Sequence, residues 1–320
     1  MKTYRFISSL VIVAFILSAC GAAAPAASEQ LPLKVAWLTY NGYGPFFVAQ
    51  GKDLFQKHGV QVQGVQAGTT AGELIDLSGN AADCALIVFS DAIPASESNA
   101  MKIVMVIDST NGADQLIASS DVNSVADLKG KRIGVAFGSY SELFVRQILK
   151  INGLTPGDVQ LVNVAPENLA GALGKTVDAG HSYDPYTAQA FSKGYKKIAS
   201  TADVPNLVFD AVACNNSVLK ARPNDVRAFV AAWFEALTWW QANLKDGNNI
   251  VAQATNQKPE DISTEGIKLF TLKDNQSAFD SNNPASLFAA AQQTIDFYAT
   301  IGALSHAPDL NALIDGSYLK

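Results

Sequence analysis

The sequence predicts an α/β chain folded as two lobes, and three observations carry that reading. Strand and helix signals alternate from residue 33 onward, with crossovers long enough for helices, which is the pattern of parallel strands joined through helices. The chain has 320 residues, enough for roughly two units that each bury a core of their own. A weak internal echo repeats strand, Gly- and Tyr-bearing loop and helix. It reads Gly42-Tyr43-Gly44-Pro45-Phe46-Phe47 in the first half and Gly138-Ser139-Tyr140-Ser141-Glu142-Leu143-Phe144 in the second.

In chain order, Leu33 to Leu38 is a short apolar strand, and Asn41 to Pro45 is a turn. Phe46 to His58 carries a helical pattern that stops at Gly59, a good residue just past a helix end. Val60 to Val65 alternates as a strand, and Thr70 to Leu77 reads as a helix behind a threonine cap. Cys84 to Val88 and Ile103 to Ile107 are buried-type strands. A second unit starts near Asn111. It contains strands at Gln115 to Ala118, Lys131 to Phe137, Val159 to Val164 and Val177 to Ser182. Its helices fall at Ser124 to Leu128, Ser141 to Asn152, Glu167 to Leu173 and Tyr186 to Lys193. Near Val208 to Ala213 the chain returns to the first unit, and Pro223 to Leu304 reads as helices with loops.

The first residues are a targeting segment rather than fold. Lys2 and Arg5 precede an apolar stretch from Phe6 to Leu17, too short to span a bilayer and suited to a secretory leader. It ends in Leu17-Ser18-Ala19-Cys20-Gly21, which resembles the bacterial lipobox, in which the cysteine is lipidated and becomes the new N-terminus. The expected organisation is a leader over 1–19, a lipidated Cys20 and flexible tether over 20–32, lobe 1 over 33–110, lobe 2 over 111–208, and a return to lobe 1 with C-terminal helices over 209–320.

Composition excludes several classes. The chain is 48% hydrophobic and only 16% charged, with net charge −6. That is no disordered, collagen-like or disulfide-stapled miniprotein, and it lacks the basic face a nucleic-acid binder needs. Three His and three Cys form no metal-ligand spacing, and no phosphate-binding glycine loop or nucleophile elbow occurs. No enzyme activity, cofactor or metal is therefore expected. Of the histidines only His181 sits at a strand end. Cys84 and Cys214 fall in apolar strands and read as small buried residues; whether they pair is not given by sequence.

Ligands of open α/β sheets sit outside the carboxyl ends of strands. The residues there are Trp37, Tyr40, Asn41, Tyr43, Thr69, Phe89, Ser90 and Asp91 from the first unit, with Ser139, Tyr140, Ser141, Tyr183, Asp184 and Tyr186 from the second. None is Lys or Arg. Flat rings stack on Tyr and Trp, while acids and amides accept from ring N–H or hydroxyl groups. This set favours a neutral or weakly cationic heteroaromatic ligand. Some of these aromatics also suit a core, and Asp184 before Pro185, like Ser90-Asp91, equally suits a helix cap. Trp233, Trp239 and Trp240 have spacings that suit packing.

Three segments together resemble the solute-binding lipoproteins of ABC importers of the nitrate, sulfonate, taurine and thiamine-pyrimidine-precursor type. They are Gly44-Pro45-Phe46-Phe47-Val48-Ala49-Gln50-Gly51 through Gly59-Val60, Ala126-Asp127-Leu128-Lys129-Gly130-Lys131-Arg132-Ile133-Gly134-Val135, and Leu173-Gly174-Lys175-Thr176-Val177-Asp178-Ala179 followed by Tyr183-Asp184-Pro185-Tyr186. Asp184-Pro185 stands where the family usually has Glu-Pro. The resemblance implies a two-lobed periplasmic-binding-protein fold, type II-like, with mixed, mostly parallel sheets and hinge-crossing strands. It implies a monomer that closes on a small ligand and hands it to an ABC permease. Such a protein sits outside the cytoplasm, held at the membrane through Cys20. Among the ligands of similar proteins, riboflavin is the first expectation, a thiamine pyrimidine precursor the next, and an alkylsulfonate, taurine or nitrate the alternative.

Overall fold

The computed structural model describes residues 31–320. The leader, Cys20 and nearly all of the tether lie outside the described residues. The strands are β1 (Leu33–Trp37), β2 (Val62–Gln66), β3 (Cys84–Val88), β4 (Met101–Thr110), β5 (Gln115–Ala118), β6 (Arg132–Val135), β7 (Gln160–Asn163), β8 (Ala179–Ser182), β9 (Lys196–Ser200), β10 (Phe209–Asn215) and β11 (Ile267–Leu269). The α-helices are α1 (Gly44–Gly51), α2 (Leu54–Lys57), α3 (Thr70–Ser78), α4 (Phe89–Ala95), α5 (Tyr140–Ile151), α6 (Leu169–Ala172), α7 (Tyr186–Phe191), α8 (Asn216–Ala221), α9 (Pro223–Ala242), α10 (Leu244–Thr255), α11 (Leu272–Ala278), α12 (Leu287–Thr300) and α13 (Leu310–Leu313).

The strands form two sheets, ordered β11-β4-β10-β3-β1-β2 and β7-β6-β8-β5-β9. Two chain segments join them. Residues 111–114 lead from β4 to β5, and residues 201–208 lead from β9 back to β10. The returning strand runs against its neighbours, so β10 is antiparallel to β3 and β4, just as β5 is antiparallel to β8 and β9. Among the described residues four of nine strand pairings are parallel, so the sheets are mixed rather than mostly parallel.

Buried strands with a period of two supply both faces of the first sheet. In β10, Val212 and Cys214 enter the apolar cluster under α1 and α9, while Ala211 and Ala213 enter the cluster on the opposite face. Helix α9 presents Val226, Phe229, Val230, Trp233, Ala236, Leu237 and Trp240 at three- and four-residue spacing, all buried. Trp233 and Trp240 are thus packing residues, while Trp239 is partly buried with the Lys52 ammonium 4.0 Å from its ring centroid. Trp240 lies between two glycines. A Cβ at Gly44 would fall 2.1 Å from Trp240 Cζ3, and one at Gly247 would fall 2.0 Å from Cδ1. Alanine at 247 would gain about 1 kcal/mol of helix propensity but overpack the indole by about 1–3 kcal/mol. Gly247→Ala is therefore expected to lower stability in urea unfolding. A gain would show that Trp240 has room to move.

The structure corrects several expected elements. The helix expected over Phe46 to His58 is broken into α1 and α2 at Asp53, which is left-handed (φ 55). Gly51 explains part of the break, because α10 approaches so closely that a Cβ there would lie 2.7 Å from Ile250 Cγ2. The segment read as helix from Glu167 to Leu173 holds a 3-10 turn over Pro166–Asn168 followed by the single turn α6. The C-terminal region, read as helix and loop, also contributes β11, which extends the first sheet beside β4. Finally, Cys84 and Cys214 are not separate small residues. They sit directly opposite in the β3–β10 register, 4.0 Å apart at Cα and fully buried, and form a disulfide.

Candidate functional site

A small cavity of about 20 Å³ opens where the two sheets meet. Its walls come from strand ends and crossing segments: Leu38, Tyr40 and Tyr43 after β1, Thr70 at the start of α3, and Val88 at the end of β3. Tyr140 opens α5 and Tyr183 follows β8; Asp114 and Val208 belong to the two crossings between the sheets, while Thr110 ends β4 and Asp210 lies at the start of β10. Both sheets and both crossings thus border one space, at the carboxyl ends where α/β sheets bind ligands.

The lining is aromatic and acidic. Tyr40 and Tyr43 meet edge to face at 5.1 Å between centroids, and Tyr40 and Tyr183 do so at 5.8 Å. Tyr43 Oη donates to Asp210 Oδ1 at 3.1 Å, Tyr40 Oη to Asp108 Oδ1 at 3.4 Å, and Tyr183 Oη to Glu167 Oε1 at 2.7 Å. Burial pushes all four lining tyrosines well above the ordinary phenol range, so each hydroxyl keeps its proton and serves as a donor. Asp108 and Asp210 stand opposite each other in the β4–β10 register. Burial, reinforced by the neighbouring Asp114 charge, pushes Asp210 up to about 8. Asp108 is raised too, first by burial and then by Asp210. Asp114 Oδ1 lies 2.9 Å from His181 Nε2, deep in the second sheet. No lining residue is Lys or Arg.

Of the fourteen residues expected at the site, Tyr40, Tyr43, Tyr140 and Tyr183 line the cavity. The others lie around it in local roles. Trp37 packs edge-on against Phe47, and Asn41 ties its turn to Asp261 and Gln257. Thr69 and Ser139 cap α3 and α5, and Ser141 Oγ accepts from Ala136 N. Phe89 and Ser90 are buried in α4, and Tyr186 leans edge-on against Tyr183. Asp91 Oδ1 accepts from Tyr140 N at 2.6 Å and from Tyr298 Oη at 2.8 Å, so it ties α4, α5 and α12 together. Asp184 accepts from Thr187 Oγ1 within the first turn of α7. Asp184→Ala is expected to leave ligand affinity within about twofold and remove a side-chain hydrogen bond worth about 1 kcal/mol, as calorimetric titration beside thermal unfolding would show. A tenfold loss of affinity would instead place Asp184 on the ligand.

Sequence reasoning missed Thr110, Asp114 and Asp210 because it looked only where strands run into helices. The signal was nevertheless present. Asp210 is a single acid within the otherwise apolar run Val208 to Ala213, and Asp108 directly follows the buried-type run Ile103 to Ile107. A lone acid there asks for a reason.

Residues 26–256 match the model of the NMT1-like family. A Brucella abortus (strain 2308) protein named provisionally as a binding protein is 26% identical over 283 residues, covering 83% of this chain and 82% of its own. A Bacillus subtilis (strain 168) protein named provisionally for binding aliphatic sulfonates is 24% identical, covering 97% of this chain and 94% of its own. Among solved structures, the ligand-binding component of an ABC-type import system from Staphylococcus aureus superposes with a TM-score of 0.75 at 13% identity. It covers 91% of this chain and 98% of its own.

Proposed function

We infer the function from one premise: the chain belongs to the NMT1-like family, and it is a solute-binding protein of the ABC-importer type. In the finer reading, lobes over 33–110 with 209–320 and over 111–208 close on a small organic solute, and the closed form delivers it to a membrane permease. The protein works outside the cytoplasm, anchored through a lipid on Cys20 as a monomer. The observation that carries this reading is the single cavity bordered by both sheets and by the two crossings between them. A ligand touching both lobes at once stabilises the closed arrangement by its differential contacts. A fully buried disulfide supports an oxidising compartment. Among the described residues no helix is long and apolar enough to cross a membrane.

One observation favours a ligand smaller than riboflavin. The Bacillus subtilis relative is named for aliphatic sulfonates, which supports the alkylsulfonate and taurine reading over the flavin. Titration of the tether-free protein with taurine and riboflavin, followed by tryptophan fluorescence, tests the choice. Taurine is expected to change the emission saturably at one site and riboflavin to leave affinity undetectable at micromolar concentration. Riboflavin saturation with taurine silent would reverse it.

A further inference from the structure

Resting on the reading of this cavity as a solute site, we propose that it selects a ligand bearing a positively charged nitrogen, a small ammonium or amidinium. The inference narrows the solute class. Taurine carries such a group; nitrate and plain alkylsulfonates do not.

The cavity wall holds two carboxylates, Asp114 and Asp210, with Asp108 directly behind Asp210 on the paired strand. Four tyrosine rings complete the enclosure, the residue type that surrounds organic cations through the negative ring face. Burial raises both Asp108 and Asp210, so near neutral pH the facing pair holds at least one proton, which an arriving cation can displace. An independent feature points the same way. Thr110 lines the cavity and is 2% exposed, yet its hydroxyl oxygen has no hydrogen-bond partner. A buried hydroxyl of this kind costs about 1–3 kcal/mol unless a polar group meets it, and a ligand N–H can do so by donating to its oxygen. An anion could be met by the hydroxyls of Thr70 and Thr110, but it would face the acids of the wall, and the hydroxyls of Tyr40, Tyr43 and Tyr183 are already committed to carboxylates. The acids are not a metal site. Among the described residues no three His, Cys, Asp or Glu side chains are placed to hold an ion.

Proton linkage gives the same sign. Asp210 is faced by Asp108 from β4, by Asp114 from the crossing, by Tyr40 and Tyr43 after β1, by the buried Glu73 of α3, and more distantly by Asp91 of α4. His181 stands behind Asp114. Raised to about 8 by burial, Asp210 is largely protonated at pH 6. A cation binds its ionised form and expels that proton, so its affinity increases from pH 6 to 8, whereas an anion's affinity decreases over the same range.

The test uses ethanolamine, choline and taurine against ethanesulfonate and nitrate, with the protein's thermal midpoint and calorimetric titration at pH 6 and 8. The nitrogen cations are expected to bind one per chain, roughly fiftyfold more tightly at pH 8 than at pH 6, and Asp210→Asn is expected to weaken them at least tenfold. Without ligand, Asp210→Asn is expected to raise the midpoint by a few degrees, because at neutral pH the carboxyl must take up a proton to be buried and the amide need not. Ethanesulfonate or nitrate binding with the amines silent would overturn the cation assignment and leave the importer reading intact. Silence of both classes, together with a lowered midpoint for Asp210→Asn, would make the acids structural and overturn the site reading as well.

Discussion

Replacement of both Cys84 and Cys214 by alanine is expected to lower unfolding free energy by about 2–5 kcal/mol, near the top of that range. The separation of 130 residues makes the closed loop long, and the entropy removed from the unfolded chain grows with its length. The sulfurs sit in the centre of the first sheet between β3 and β10, where neither cysteine has exposed surface. Reductant alone should therefore leave the native protein unlabelled by a thiol reagent, and both thiols should label once urea opens the sheet. A double alanine variant with an unchanged urea midpoint would show that the packed strands hold without the crosslink.

Stability should also fall as pH rises, opposite to the behaviour of most carboxylates. Asp91 is buried among α4, α5 and α12, and burial pushes it up to about 7 against the lowering effect of the Tyr298 and Tyr140 hydrogen bonds. Its unfolded value is about 3.9. Between these values the folded state binds the proton and the unfolded state does not. Stability therefore drops by about 1.4 kcal/mol per pH unit from about pH 4 to 7, and is level above for this group. Asp210, at about 8, extends the fall upward. Asp178, lowered chiefly by the Arg132 hydrogen bonds, acts in the other sense, but its contribution is lost only as pH falls through the acid range. Urea midpoints are thus expected to be higher at pH 5 than at pH 8 by the equivalent of at least about 3 kcal/mol. Asp91→Asn should flatten that slope, whatever it does to absolute stability. An unchanged slope would remove Asp91 as its source.

Much of this architecture was legible because buried strands and amphipathic helices write their periods into the chain. Cys84 to Val88 and the apolar face of α9 were plain on that basis. Direction was less legible. The run containing Asp210 reads as buried whichever way it lies, and only the return across 201–208 makes β10 antiparallel to both neighbours. The Cys84–Cys214 pairing was hidden for the same reason, since register decides which residues face each other. At the site, tyrosines in Gly-rich loops announced themselves. Asp184 drew attention through its neighbour Pro185, yet its partner is Thr187. Asp114 and Asp210 gained their meaning only when two distant crossings came together.

The Cys84–Cys214 bond also changes what kind of object the polypeptide is. It closes residues 84 to 214 into a covalent ring, and that ring contains the whole of the second sheet, β5 through β9. A protease that cuts anywhere inside the ring, including either crossing, linearises it without releasing a fragment. A chain nicked within that ring remains one molecule.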